Sequence, residues 1–196
     1  KLDVGYQPEI FDIENGYLSG YWQCEKYFKE FRAELLELFR FPQNQINEAS
    51  RKMQDQICRE QAVAVHVRRG DYLLPENNRK YGNICTLQYY RNAMQYMKEK
   101  VSDARFYFFS NDPEWVRENL SEGDSVIVNC NHGKENYLDM YLMSQCSHNI
   151  IANSSFSWWG AWLNRNPDKI IVSPKRWFSH LDVSDAVCED WIRING

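Results

Sequence analysis

Two adjacent guanidinium groups follow a short apolar run in His66-Val67-Arg68-Arg69-Gly70-Asp71-Tyr72. Holding two arginines at the end of a buried strand without an anionic partner is costly. A guanidinium presents planar, paired donors that match phosphate oxygens, and Gly70 permits a close backbone approach. The segment reads as a phosphate clamp, or as a loop in which one arginine pairs with Asp71 while the other is solvated. Neither G-x-G-x-x-G nor G-x-x-x-x-G-K-[ST] occurs, so a dinucleotide fingerprint and a P-loop have little support.

Two further segments could act with the first. In Ser110-Asn111-Asp112-Pro113-Glu114-Trp115 the first three residues all qualify as helix N-caps. An aspartate there could instead accept from the N–H groups of a base or the hydroxyls of a ribose. Asn153-Ser154-Ser155-Phe156-Ser157-Trp158-Trp159-Gly160-Ala161-Trp162-Leu163 sets small hydroxyl residues at the start of a helix. Free backbone N–H groups and the positive dipole end make such a start an anion site, although serine caps are common. The three tryptophans are expected to pack that helix onto a sheet.

Elements must position these groups. Ala62–Val67 is a continuous apolar, β-branched run of strand length, and further short strands are expected at 105–109, 125–128, 149–152 and 169–172. Helical segments at 87–101, 113–120, 135–146 and 155–163 separate them. The alternation predicts a parallel α/β sheet covered on both faces, with ligands beyond the carboxyl ends of its strands. All three polar segments lie at such ends. Before residue 61 the chain changes character. Phe28, Phe31, Leu35, Leu38 and Phe39 recur at helical spacing over Cys24–Phe39, which Phe41-Pro42 must end, and a polar helix is expected over 44–60. The division expected is therefore 1–60 and 61–196.

Composition sets the outer limits. The 196 residues are 43% hydrophobic and 26% charged, the balance of a folded protein, and the formal net charge of −4 disfavours nonspecific nucleic-acid binding. Seven tryptophans and twelve tyrosines offer faces for sugar rings or, more simply, an aromatic core. Six cysteines, Cys24, Cys58, Cys85, Cys130, Cys146 and Cys188, lie without zinc-site spacing and read as reduced thiols in a reducing compartment. The sequons at Asn119 and Asn153 read as chance matches. No apolar run reaches the ~18 residues of a membrane span, and the first residues lack signal-peptide character.

HVRRGDYL at 66–73, SNDPEWV at 110–116 and NIIANSSFSWWGAWL at 149–163 together resemble the motif series of glycosyltransferase family 11, the α-1,2-fucosyltransferases. The likeness extends through GYLSGYWQCEKYF at 16–28, LDMYLMSQCSHNIIAN at 138–153 and KIIVSPKRWF at 169–178. It implies the Rossmann-like donor lobe of a two-lobed GT-B fold, with residues 1–60 a helical remnant of the first, acceptor-side lobe. The glycine-rich opening of that lobe is not in this sequence, so the acceptor side is expected to be incomplete. The implied reaction is inverting transfer of L-fucose from GDP-β-L-fucose to the 2-hydroxyl of a terminal β-galactoside, without a metal or other cofactor. No D-x-D pair occurs to suggest otherwise.

By the same resemblance Arg68 would hold the β-phosphate, His66 would lie by the nucleotide with Arg69, Ser154 and Ser155 would bind phosphate, and Asp112 is a nucleotide-side candidate. The general base is Asp71, unless that residue is the arginines' partner, or Glu76, eight residues past Arg68 as in the α-1,6-fucosyltransferases. Implied partners are a nucleotide sugar and a galactose-terminated glycan. The implied location is cytoplasmic or, through lipid-linked acceptors, at the membrane periphery. The rivals are a GT-B transferase for another nucleotide sugar and a non-catalytic nucleotide- or glycan-binding module.

Overall fold

A computed structural model describes residues 5–20, 22–181 and 183–196. Six strands form one parallel sheet: β1 (Gln61–Val67), β2 (Ala104–Ser110), β3 (Val126–Val128), β4 (His148–Ile150), β5 (Ile171–Pro174) and β6 (Ile192–Ile194). Their order is β3-β2-β1-β4-β5-β6, the doubly wound arrangement. The expected α/β class and the central place of Ala62–Val67 are both found. β6 was not anticipated, because Ile-Arg-Ile is too short to announce a strand without its neighbour β5.

Period-two alternation along β1 divides the core. Val63, Val65 and Val67 face α4 (Leu87–Lys100) and α5 (Pro113–Asn119), meeting Tyr89, Tyr90, Met94, Met97 and Val116. Ala62 and Ala64 face the other way, with Tyr107 and Phe109 of β2, onto α2 (Glu48–Ile57) and α6 (Tyr137–Gln145). The alanines leave room there for the larger rings. α7 (Ser155–Trp162) anchors a third cluster of Trp158, Trp162, Trp177 and Trp191. Trp158 and Trp162 are fully buried and stacked with centroids 6.3 Å apart, so these rings serve the core.

The helix expected over Cys24–Phe39 is broken. Short 3₁₀ turns occupy Glu25–Tyr27 and Lys29–Phe31, and only α1 (Arg32–Leu38) is α-helical. Phe28 leaves helical geometry at φ −147°, ψ 6°, and its ring stacks on Trp159 and meets Trp158 and Trp162 edge-on. Tertiary packing of one aromatic residue outweighs the local pattern. The helix expected over 44–60 is likewise shorter, capped by the Asn47 side chain accepting from Ser50 N–H at 2.8 Å. Arg32 donates to the Trp162 carbonyl at 2.7 Å and covers its ring, closing the end of α7.

Candidate functional site

The chain winds from β1 outward through β2 and β3, then crosses back to place β4 on the other side of β1. The carboxyl ends of β1 and β4 therefore flank the topological switch point, where the crevice of such sheets opens. The arginine loop follows β1 and the serine loop follows β4. Register pairs Val65 with Ile150, so the two loops leave the sheet side by side.

The arginine loop is a 3₁₀ turn, Gly70–Leu73, followed by α3 (Pro75–Tyr81), a helix too polar to show an apolar stripe in the sequence. The two arginines separate. Arg68 Nη2 lies 2.9 Å from Asp71 Oδ1, and its guanidinium stands 5.8 Å from the centre of the Tyr72 ring. Asp71 Oδ1 is nonetheless shielded from solvent without an aligned hydrogen-bond donor. Arg69 turns toward β2: its Nε donates to Asp112 Oδ2 at 3.0 Å, and its guanidinium sits 4.1 Å over Trp115. The sequence left open which arginine would pair with Asp71; it is Arg68, while Arg69 is held by Asp112 rather than solvated, because the backbone turn at Arg69 (φ −126°, ψ −88°) sends successive side chains apart.

Asp112 has both oxygens engaged. Oδ1 caps α5 by accepting from Trp115 N–H at 3.2 Å while Oδ2 holds Arg69, so the N-cap alternative is the one formed. Asn111 locks the loop from beside it. Its Oδ1 accepts the Arg69 N–H at 3.0 Å, and Gly70, at φ +21°, has no room for a Cβ against the Asn111 side-chain nitrogen. Sequence reading did not single out Asn111 as a positioning group; only its place directly after the β2 end marked it.

His66 is 5% exposed, and its Nδ1 is buried without a hydrogen-bond partner. Burial, with the Arg68 charge as a lesser cause, pushes its pKa down to about 3, so the ring is neutral. Phe156, from the first turn of α7, packs 5.7 Å away. Across the switch point Ser154 is buried and Ser155 exposed, and no side chain caps the start of α7. The first-turn N–H groups of α7 thus lack both an intrahelical partner and a side-chain cap.

Tyr72 joins the two loops. Its hydroxyl donates to the Asn153 carbonyl at 2.9 Å and its ring stacks on Tyr81 at 5.1 Å. Burial raises its pKa to about 12, so the hydroxyl stays protonated as a donor. Asn153 is buried, its Nδ2 donating to the Tyr81 and Trp177 carbonyls at 3.1 Å each, which closes that sequon to modification in the folded state. Glu76 lies in the first turn of α3 with its side chain 85% exposed and Lys80 Nζ 3.7 Å away.

The fold and this edge define a class: a doubly wound parallel α/β protein with a partly exposed guanidinium and an uncapped helix start gathered at its switch point. The sequence model described as Glycosyl transferase family 11 matches residues 9–195, and the chain belongs to that family. Over 179 residues it is 39% identical to an alpha-1,2-colitosyltransferase of Escherichia coli, covering 89% of this chain and 61% of that protein. An O-antigen biosynthesis glycosyltransferase of Escherichia coli, WbnK, is 33% identical over 187 residues, 93% of this chain and 62% of the relative. A galactoside alpha-(1,2)-fucosyltransferase 1 of Ateles belzebuth is 37% identical over 103 residues, 52% of this chain and 28% of that protein. The chain thus spans about three fifths of its bacterial relatives. Among the described residues, no helix is long and apolar enough to cross a membrane.

Proposed function

We propose that this chain supplies the donor-binding part of an α-1,2-fucosyltransferase, holding GDP-β-L-fucose at the β1–β4 switch point. The observation that carries the reading is Arg68: a charged, 35% exposed side chain at the end of the central strand, beside the uncapped start of α7. In this reading the Asp71 pair holds the guanidinium at the mouth until a diphosphate displaces or joins the carboxylate. The neutral His66 lies behind it, at the end of the same strand and by the nucleotide.

Breaking the bond between the anomeric carbon and the phosphate oxygen builds positive charge on the sugar ring and negative charge on departing GDP. Arg68 and the first-turn N–H groups of α7 would face that negative charge with preorganised donors, the kind of contact whose loss costs ~10²–10³-fold in rate. The base that accepts the acceptor's proton would be Asp71, freed as Arg68 turns to phosphate, or Glu76 brought inward from solvent. The acceptor would be a terminal β-galactoside, attacked through its 2-hydroxyl with inversion and without a metal.

Calorimetric titration of GDP and UDP, each with and without EDTA, tests the reading. Tighter binding of GDP that EDTA leaves unchanged is expected; equal affinities, or binding abolished by EDTA, would refute it. A second reading has its own support, since one relative bears the name of a colitosyltransferase at 39% identity. Donor hydrolysis measured with fucosyl and colitosyl nucleotides separates the two.

A further inference from the structure

Three residues close a circuit beside the arginine loop. Tyr72, in the 3₁₀ turn, and Tyr81, at the end of α3, stack their rings at 5.1 Å with planes 19° apart. The Tyr81 carbonyl accepts from Asn153 Nδ2 at 3.1 Å, and the Asn153 carbonyl accepts from the Tyr72 hydroxyl at 2.9 Å. Asn153 is itself pinned: its Nδ2 also donates to the Trp177 carbonyl, and its Oδ1 accepts from Cys85 Sγ at 3.4 Å. Ser179 fastens the far end of α3, its N–H donating to the Lys80 carbonyl at 2.9 Å and its hydroxyl to the Gly82 carbonyl at 2.7 Å.

The circuit links two anion-directed groups that come from different strands. Tyr72 belongs to the turn that follows Arg68, and the Arg68 guanidinium stands 5.8 Å from the centre of its ring. Asn153 directly precedes Ser154 and the uncapped start of α7. Among the described residues the ion pair of Arg68 is to Asp71 on its own loop, so its charge pairing does not tie it to the β4 side. Tyr72 supplies that tie. A ligand that bridges two loops loses affinity when the loops must first be brought into register, and a rigid frame removes that cost.

We infer that Tyr72 is the positioning residue of this edge, setting the separation of Arg68 from the start of α7 so that a nucleoside diphosphate meets both at once. The inference rests on the reading that the β1–β4 edge holds the donor's diphosphate, and it adds what fixes the span. Tyr72 acts through Arg68 and the α7 start rather than by touching the ligand. A diphosphate reaches both groups and gains from their fixed spacing, whereas a monophosphate engages one group and gains nothing from it.

The test is calorimetric titration of GDP and GMP into the parent, Tyr72→Phe, Arg68→Ala and the double variant. Tyr72→Phe keeps the stacked ring and removes the hydroxyl. It should weaken GDP about fivefold, the effect of one hydrogen bond, and leave GMP nearly unchanged, so the preference for GDP over GMP falls. In the Arg68→Ala background the same change should alter GDP affinity by less than about twofold, because the group it positions is gone. Tyr81→Leu, which leaves the hydroxyl and removes the ring stacked on Tyr72, should lower the same preference. A merely structural role would weaken GDP and GMP alike, by the same factor with or without Arg68, and that result overturns the proposal. GDP affinity equal to the parent's in both Tyr72→Phe and Tyr81→Leu overturns it too. A parent that does not bind GDP, or an Arg68→Ala variant that binds it like the parent, refutes the donor-edge reading itself, and the role of Tyr72 falls with it.

Discussion

Arg69 and Asp112 are joined at 3.0 Å across the carboxyl ends of β1 and β2, and this pair assigns different tasks to neighbouring arginines. Arg69 is bonded to the cap of α5 and stacked on Trp115, so it ties two loops together. Arg68 has one short ion pair with a residue three positions on and otherwise faces the mouth.

Arg68→Ala should weaken GDP binding by about 1.5–3 kcal/mol through loss of a charge-assisted, forked contact. Arg68→Lys should restore only part of it, because an ammonium has no fork. Arg69→Ala should lower thermal stability and disturb GDP binding less. Calorimetry on the three folded variants decides it; normal GDP binding in Arg68→Ala with loss in Arg69→Ala would reverse the assignment.

Gly70→Ala should disturb the loop without touching a charge. The added methyl meets the Asn111 side chain, and the positive φ of Gly70 already disfavours any side chain. A loss of about 1–3 kcal/mol in urea unfolding is expected, together with weaker GDP binding. Asn111→Ala in the same background should recover part of the stability, since it removes the obstruction. No recovery in the double variant would show that backbone strain alone is responsible.

Asp139 gives a pH-dependent prediction. Burial raises its carboxyl from 3.8 to about 6, against the opposing hydrogen bond from Asn131 at 2.8 Å. Between those values the folded state binds the proton more tightly than the unfolded chain, so this group's contribution to stability falls as pH rises through the window. Asp139→Asn retains an acceptor for Asn131 and removes the buried charge. It should gain about 1–3 kcal/mol at pH 7, a gain that shrinks as pH falls through 6 toward 4. Denaturant unfolding at pH 4 and pH 7 reads the difference, and an equal effect at both would contradict it.

Trp158→Ala should be among the most damaging core substitutions, costing about 3–5 kcal/mol. The indole is fully buried among Trp162, Trp191 and Phe28, and its Nε1 donates to the Ala186 carbonyl at 2.8 Å. Trp158→Phe should cost less, yet leave that carbonyl without its donor. Thermal denaturation of both variants checks the order.

Much of this architecture could be read from residue patterns. Ala62–Val67 and Arg105–Phe109 are strong apolar runs, and their buried strands follow almost as expected. Strand order was not legible, since nothing local to Val126–Val128 or His148–Ile150 says which side of β1 each will join. The same limit hid the switch point, although the residues that surround it were visible as motifs. α3 was missed because Pro-Glu-Asn-Asn-Arg-Lys-Tyr buries no face of its own; it is held through Tyr81, stacked on Tyr72, and through Lys80, whose carbonyl accepts from Ser179 N–H at 2.9 Å. Helical spacing over Cys24–Phe39 misled because Phe28 is recruited by tryptophans more than a hundred residues away. At the site, residue types announced an anion-binding edge, while the division of labour between Arg68 and Arg69 depended on one backbone turn.

The central position of β1 also has a consequence for how the molecule is made. Val63 pairs with Phe106 on one side and with His148 on the other, so β1, the earliest of these six strands in the chain, has its second edge covered only when the fourth is made. On the ribosome its outward edge stays open for more than eighty residues of further translation. Closing so long a loop carries an entropic cost that near-neighbour contacts cannot offset, which delays completion of the sheet. Release of a nascent chain ending before residue 148 would leave a long apolar strand with one bare edge, a species suited to chaperone capture and prone to self-association.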